Sequence, residues 1–485
     1  MNKRISIPVS LPHPNPTISY WQNPPDEIGD ICSTTQLPSQ VDIAIIGSGI
    51  SGATIAYNIL CRAPGTKIVL LEARQAVSGA TGRNGGHTKG ASYTTFPTNV
   101  QKLGLEEAIK IAKLELNTVR QVHAFAKKHT IDCESRHIDT ADIIYNQDTL
   151  DQAVQAVQFM QKAMPNHPAS KYTFWNRKET EEKFLVPGAA GAITYEAGSL
   201  SAYKLVIGIL KLCLEKGLNL QTNTPVTGLH RYEGNSSSNS GSSSSSGRTN
   251  KTSWTIVTQR GHIQASKVIM ATNGYTAAIY PKLQGVIVPV RGQVTAHRPG
   301  SKMPSSTLST TYSFNYGSGF DYMIQCPETS KYPGDIVIGG GFCESKNEGL
   351  ANYGNTDDSG VEPAISEYLA ASTVEFFGKN WGSDDRAGRV RQEWTGIMGY
   401  SADGYPLVGE MPGESGLFIS ASFQGHGMVS CFLCAEALTN MIFGDDEKKL
   451  SSWFPSAYMV NSERLKHKLD QKITPPPRSQ SKARL

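Results

Sequence analysis

Apolar and polar positions along the chain follow two periods, and the elements they predict divide it. Residues 43–46 (IAII) and 68–71 (IVLL) are unbroken apolar runs, as in strands buried on both faces, and residues 53–60 between them are apolar enough for a helix packed on those strands. Leu105, Ile109, Ala112, Leu116, Val119, Val122 and Phe125 recur at helical spacing among charged residues, predicting one long amphipathic helix over 103–129 with its stripe on the core. A second helical pattern over 149–164 stops at Pro165, and strand-like pieces and turns follow to Gly191. Residues 202–216 predict another helix, and 219–222 and 267–270 predict strands. From about residue 286 to 394, β-forming runs such as 321–325 and 335–341 alternate with turns. A strand over 417–421 and a last apolar helix close the pattern.

The junction after the first run carries chemistry. Gly47-Ser48-Gly49-Ile50-Ser51-Gly52 joins the first strand to its helix. Gly47 permits the tight turn, Gly49 lets a pyrophosphate approach the backbone, and Gly52 lets helix and strand pack closely. The helix N-terminus faces the phosphates with unpaired N–H groups and the positive end of its dipole. The second strand ends at Glu72, about 20 residues beyond the last glycine, where a carboxylate binds ribose hydroxyls. Glycines in this order, between strand, helix, strand and acid, predict a dinucleotide site rather than a structural turn. Ala73 and Arg74 follow, and then Ser78-Gly79-Ala80-Thr81-Gly82-Arg83-Asn84-Gly85-Gly86-His87, a polar glycine-rich loop able to wrap a flat ring or a phosphate. A nicotinamide enzyme would place a helix and strand there, so the loop points to a flavin.

Composition narrows the partners. The net charge of +4 on 485 residues, without a concentrated basic patch, gives nucleic-acid binding little support. No apolar run is long enough to span a bilayer, and prolines interrupt the first residues where a signal peptide needs an apolar stretch. The reading is a soluble chain that is not exported. The one CxxC pair, Cys431 and Cys434, falls in an apolar helical stretch without nearby histidines, so it reads as core and no metal site is expected.

The segments GSGISG, LLEA and SGATGRNGGH together resemble the FAD-dependent amine and amino-acid oxidoreductases of the D-amino-acid oxidase superfamily, the group with glycine oxidase, sarcosine oxidase and γ-glutamylputrescine oxidase. The resemblance implies a mixed α/β and α+β fold: a Rossmann-like FAD-binding domain with a discontinuous antiparallel-sheet substrate domain. It implies an FAD domain of residues 39–130, 195–285 and 395–445, and a substrate domain of 131–194 and 286–394. Residues 1–38 read as a surface arm anchored by Tyr20 and Trp21, 234–252 as a disordered serine-rich insertion at a hairpin tip, and 471–485 as a flexible basic tail.

The same resemblance assigns cofactor contacts. They fall on residues 47–52, on Glu72, Ala73 and Arg74, and on Gly79, Ala80, Thr81, Arg83, Asn84, Gly85, Gly86 and His87. Val226 would meet the adenine through its backbone. Ala271, Asn273 and Gly274 form a second fingerprint, and Gly425, His426, Gly427 and Met428 open the last helix against the flavin. Donors there would stabilise the negative charge of reduced flavin. Tyr322 and Tyr316 would stand in a roof over the flavin, and Arg291 would pair a substrate carboxylate. His426 has an alternative role as a cap, as Tyr316, Tyr322 and Arg291 have in sheet packing or a structural ion pair.

The implied reaction oxidises a C–N bond of a small amine or amino acid to an imine by hydride transfer to flavin, with oxygen as acceptor and hydrogen peroxide as product. The alternatives are a dehydrogenase passing electrons to a partner and a flavin-bound assembly factor without turnover. Residues 392–403 hold no cysteine where sarcosine-oxidase-like members tether flavin, so FAD is expected without a covalent link, His87 being the minor alternative. Ala483-Arg484-Leu485 matches a peroxisomal import pattern, with the cytoplasm as the alternative.

Overall fold

Two sheets take up the two apolar patterns. The computed structural model describes residues 2–232, 253–304, 307–316 and 319–469. The serine-rich tract 234–252 and the stretch 471–485, with its Ala483-Arg484-Leu485 end, lie outside them.

The first sheet runs in the order Leu407–Glu410, Leu417–Ala421, Gly261–Met270, Gln40–Ile46, Ile68–Leu71, Asn219–Gln221, and the hairpin of Val226–Tyr232 and Ser253–Thr258 attaches to Gly261–Met270. Its five strands from Leu417–Ala421 to Asn219–Gln221 are parallel. Parallel strands need cover on both faces, which is why IAII and IVLL carry no polar residue. On one face the helices Ile50–Arg62, Ala202–Glu215 and Cys431–Phe443 bury Ile55, Ile59, Leu205, Ile209 and Leu438 against Ile43, Ile45 and Leu70. On the other, Ala44, Ile46, Val69 and Leu71 meet Trp254 and Ile256 of the hairpin.

The second sheet has nine strands, ordered Val390–Ser401, Ile287–His297, Ile336–Gly339, Gly319–Gln325, Thr311–Tyr316, Arg136–Ile144, Gly191–Ser199, His87–Thr88, with Thr173–Asn176 beside Gly191–Ser199. All its pairings are antiparallel except that of Thr311–Tyr316 with Arg136–Ile144. Its front face looks toward the glycine-rich loop, and its back face is covered by the helix Pro363–Phe377.

Several elements differ from the sequence expectation. The helix expected over 103–129 is Leu105–Lys128, and a helix that was not expected, Ser92–Leu103, precedes it across Gly104, whose φ is +87°. Arg177–Phe184 is a helix where strands and turns were expected; Asn176 and Glu179 form a capping box at its start. Pro363–Phe377 is a helix inside the β-rich region, entered through a proline at its first turn. The boundaries expected at 195 and 395 fall inside continuous strands of the second sheet, Gly191–Ser199 and Val390–Ser401. The helix after Met428 begins one 3₁₀ turn later, at Cys431, and a short helix, Glu447–Ser451, follows it.

The arm lies across both sheets rather than only on a surface. Tyr20 stacks on Trp394 and donates to Asp335, Ser19 donates to the Gly82 carbonyl, and the Trp21 indole donates to the Asn84 carbonyl. Among the described residues no helix is long and apolar enough to cross a membrane, and no cluster of three or more potential metal ligands occurs.

Candidate functional site

The first strand, its glycine turn and its helix form the floor of the site. Gly47 has φ +105°, and a Cβ on Gly52 would stand 2.0 Å from the Gly47 carbonyl oxygen, so helix and turn touch as only glycine allows. The helix starts after Gly49, which offers no side-chain cap; instead Ile50 N–H donates to Thr81 Oγ1 at 3.1 Å, joining the glycine-rich loop to the helix N-terminus. Glu72 accepts from Ser48 N–H (3.0 Å) and Ser48 Oγ (2.7 Å) with one oxygen and from Arg74 N–H (3.1 Å) with the other. The carboxylate thus faces the turn from the end of the second strand. Val226, at the start of its strand, is buried.

Above this floor the loop 78–87 is held by charge. Arg74 Nη1 donates to both oxygens of Asp358 (3.0 Å each) and to the His13 carbonyl, while its Nε and Nη2 bind Ser78. Arg83 Nε stands 3.7 Å from Asp358 and donates to the Ser78 carbonyl at 2.8 Å; its Nη1 reaches Thr17 and the Thr395 carbonyl. All three charged groups are buried. Burial lowers the Arg83 guanidinium to about 10, against the opposing pull of Asp358. The Tyr275 hydroxyl, buried within the field of Asp358, Arg74, Arg83 and Glu72, has no hydrogen-bond partner among the described residues. A cluster this polar, with one donor unspent and open space around Gly79, fits a charged ligand between floor and loop. Asn84 ties the loop's end, donating to Thr81 O and accepting from Gly86 N–H.

Strand register sorts the roof residues. Tyr322 pairs with Ser313 and Gly339, and Gly339 with Val294, so these share the front face. There the Tyr322 ring packs on the loop: a Cβ on Gly85 would fall 2.4 Å from it. The ring of His87 lies 6.4 Å from that of Tyr322. His87 Nε2 is 2.6 Å from Thr311 Oγ1, and burial, then the neighbouring Lys89, hold its pKa well below the usual value, so the ring is neutral. Burial, then Asp321, raises the Tyr322 hydroxyl to about 12.

Arg291 and Tyr316 do not join them. Arg291 pairs with Ile397 one register step from Gly292, so its side chain leaves on the back, where it meets Glu362 (3.5 Å), Asn352 and the Asp357 carbonyl. The expectation that Arg291 stands beside Tyr322 at the flavin face is corrected by this alternation. Tyr316 likewise faces back, donating to Asp321, which also accepts from Tyr368 and Gly341 N–H.

The second fingerprint and the C-terminal loop meet at the floor's far side. Asn273 Oδ1 accepts from Ser422 N–H and Phe423 N–H, so the asparagine fixes the neighbouring loop. Ala271 closes on the Gly47 turn, and Gly274 touches the Met398 carbonyl, 2.4 Å from where a Cβ would be. Ser422, Gln424 and Gly425 all have positive φ, and this strained loop presents Gly425 and His426 to solvent, with Met428 buried behind them. His426 Nδ1 lies 2.9 Å from the Gln424 carbonyl. Cys431 packs beside Gly427; burial raises its thiol to about 12, a poor nucleophile.

The residues missed by sequence reasoning are Asp358, Tyr275 and the front-face group Lys89, Asp142 and Ser313. Asp142 alone left a trace, an acid inside the apolar strand sequence TADII. Asp358 lies in NTDDSG, which reads as an ordinary turn.

The profile of one protein family, described as FAD dependent oxidoreductase (DAO), matches residues 42–441. Among curated proteins, the probable oxidoreductase OrdL of Haemophilus influenzae is 19% identical, the match covering 84% of each chain. The γ-glutamylputrescine oxidoreductase of Escherichia coli is also 19% identical, with 84% of each chain covered. Among solved structures, glycine oxidase from Geobacillus kaustophilus superposes with a TM-score of 0.65 at 17% identity, covering 88% of this chain and 99% of that one.

Proposed function

Because the chain belongs to the family of FAD-dependent oxidoreductases, we propose that it oxidises the C–N bond of a small amine or amino acid, with oxygen taking the electrons and FAD held without a covalent link. Residues 49–51 would hold the pyrophosphate at the helix N-terminus, Glu72 the ribose, and residues 83–87 with 425–428 the ring system. Bound FAD supplies the hydride acceptor. The chain supplies position and electrostatics: Tyr322 and neutral His87 wall the space in front of the loop, and neither offers a charge that would hold the amine protonated.

The observation that carries this reading is the meeting of an aromatic wall with the glycine-rich loop, Tyr322 on Gly85. That sets an aromatic side chain of the second sheet directly against the loop that follows the dinucleotide turn, where a flat redox ring and a small substrate would meet. The names of the relatives, glycine oxidase and γ-glutamylputrescine oxidoreductase, support amines and amino acids as the class. The absence of a cysteine in 392–403 and the high pKa of Cys431 support a cofactor held without a thioether.

The test is anaerobic mixing of the yellow protein with amines and amino acids, followed by air. Bleaching of the flavin band with peroxide on reoxidation is expected. Bleaching that air reverses only slowly makes the protein a dehydrogenase, and flavin that no amine or amino acid reduces overturns the reading.

A further inference from the structure

Residues 13–22 of the arm form a strap that is fastened at both ends and laid along the glycine-rich loop. Before it, Gln284 donates to the Ile5 and Ile7 carbonyls (2.8 and 2.9 Å); beyond it, Asp26 N–H donates to the Tyr203 hydroxyl (2.9 Å). Between these fastenings the strap makes two sets of bonds. One set reaches the loop: Arg83 Nη1 donates to Thr17 Oγ1 (3.2 Å), Ser19 Oγ to the Gly82 carbonyl (2.6 Å) and the Trp21 indole to the Asn84 carbonyl (2.6 Å). The other set reaches the second sheet: Thr395 N–H donates to Thr17 Oγ1 (3.0 Å), Gln392 to the Ile18 carbonyl (2.6 Å), and Tyr20 to Asp335 (3.2 Å). From Ile18 to Trp21 the two sets alternate, so the loop is tied to the sheet through the strap. Ser19 to Gln22 are buried, although Ile18 and Asn23 on either side are exposed. The loop, with four glycines in ten residues, has little stiffness of its own. Elsewhere it is held by Ile50 N–H on Thr81, by the Trp394 indole on the Arg83 carbonyl and by Leu200 N–H on the Gly86 carbonyl; the strap supplies the ties at Gly82 and Asn84. The family profile begins at residue 42, so the strap lies outside the part of the chain that the profile covers.

We propose that the strap is this chain's device for keeping its cofactor: docked, it holds the loop closed on FAD, and release of FAD requires residues 17–21 to lift. This rests on the reading of the loop as a cover for FAD held without a covalent link. A thioether would keep the flavin whatever the loop did, whereas a cofactor held by contacts alone escapes at the rate its cover opens. Thr17, Ser19 and Trp21 are positioning residues that act through the loop. Tyr20 acts one step further back, since its hydroxyl meets Asp335 and not the loop. Docking of the strap and binding of FAD then favour each other by the same factor, because linkage is reciprocal.

Release is followed by the rise of flavin fluorescence after dilution of the holoprotein, and the strap by hydrogen exchange of its amides. In wild type, removal of FAD should speed exchange at residues 17–22 at least about tenfold, while residues 28–33, fastened to the first sheet, change less. Ser19→Ala combined with Trp21→Phe should speed FAD release at least about tenfold, the factor expected of two buried hydrogen bonds. Tyr20→Phe keeps the ring on Trp394 and should speed release about threefold, although it touches no loop residue with the atom it loses. A strap that exchanges alike with and without FAD overturns the proposal without need of any variant. So does a double variant that releases FAD at the wild-type rate. If amines still reduce the flavin in either case, only the strap inference falls. Flavin that stays on the acid-precipitated protein is covalently held and overturns both the strap and the reading of the cofactor it rests on.

Discussion

The two faces of the second sheet are built from the same strands and do opposite things with their polar residues. On the back, Asp321 accepts from Tyr316, Tyr368 and Gly341 N–H, and Arg291 is taken up by Glu362, Asn352 and Asp357. Asp321 and Arg291 are thus answered by the protein, while the Tyr145 hydroxyl beside Phe376 has no partner among the described residues. On the front, Lys89 and Tyr322 each keep a donor that the described residues do not answer. Asp321 and Tyr322 are neighbours in sequence and face opposite ways. A closed polar network makes structure, and an open one is where a ligand can be received.

The largest effect should come from the loop that serves both faces. Within residues 353–362, Glu362 holds Arg291 at the back while Asp358 pairs Arg74 and Arg83 near the floor of the site. Asp358→Ala leaves two buried guanidinium groups without their counter-charge, and breaking a buried pair this way costs about 3–5 kcal/mol. Urea unfolding should register that loss, and the flavin should wash out on dialysis because the loop 78–87 loses its tie. Wild-type stability in this variant would show that the arginines are satisfied by Ser78, Thr17 and the carbonyls alone.

Next comes a pH effect confined to the back. Burial raises Asp321 to about 6, while its hydrogen bonds from Tyr368, Gly341 and Tyr316 pull the other way. The folded protein thus holds this proton more tightly than the unfolded chain. The group's contribution is full below the ordinary carboxyl value of 3.8 and is lost as pH rises through about 6. The loss approaches about 3 kcal/mol, from 1.36 kcal/mol for each pH unit between the two values. Asp321→Asn cannot ionise, so its stability relative to wild type should improve between about pH 4 and pH 7. Parallel stability curves for the two proteins would show that the carboxyl ionises at its ordinary value.

These contrasts also explain what could be read beforehand. The glycine turn, its strands and Glu72 were legible because a parallel strand must be apolar and a dinucleotide turn must be glycine, both strictly local demands. The roof was legible as β-forming but not by face, since one register step moves every side chain across the sheet. Arg291, Tyr316 and Tyr322 therefore read alike. The helix Pro363–Phe377 was hidden among strands by its mixed sequence PAISEYLAASTVEFF. Lys89 and Asp142 are 53 residues apart and meet only because Arg136–Ile144 and His87–Thr88 flank the same strand, Gly191–Ser199. Asp358 acts across an even longer stretch of chain.

A smaller effect belongs to Arg291. Arg291→Met removes a partly exposed ion pair with long contacts and should cost about 1 kcal/mol or less in urea unfolding. Flavin content and reduction by substrate should stay as in wild type, since the partners of Arg291 are Glu362, Asn352 and Asp357. Loss of flavin or of its reduction in Arg291→Met would mean that the two faces of the sheet are coupled.

Two hydroxyls discriminate most sharply between the faces, and one of them carries the smallest effect. Tyr316→Phe deletes a donor to a buried acid, and a hydrogen bond to such a group when it is charged is worth about 1.5–3 kcal/mol. It should also leave Asp321 with fewer donors to its ionised form and push its pKa further up. Tyr322→Phe deletes a hydroxyl that bonds to nothing among the described residues and keeps the ring that packs on Gly85, so folding should change by no more than about 0.5 kcal/mol. Its consequence should appear only with a ligand present, as a change in substrate affinity or turnover. One hydroxyl then matters to the fold and the other to the ligand, although both belong to tyrosines of one hairpin. If the two variants lost stability equally, the Tyr322 hydroxyl would be a structural donor after all, and Lys89 would stand as the front face's single spare donor.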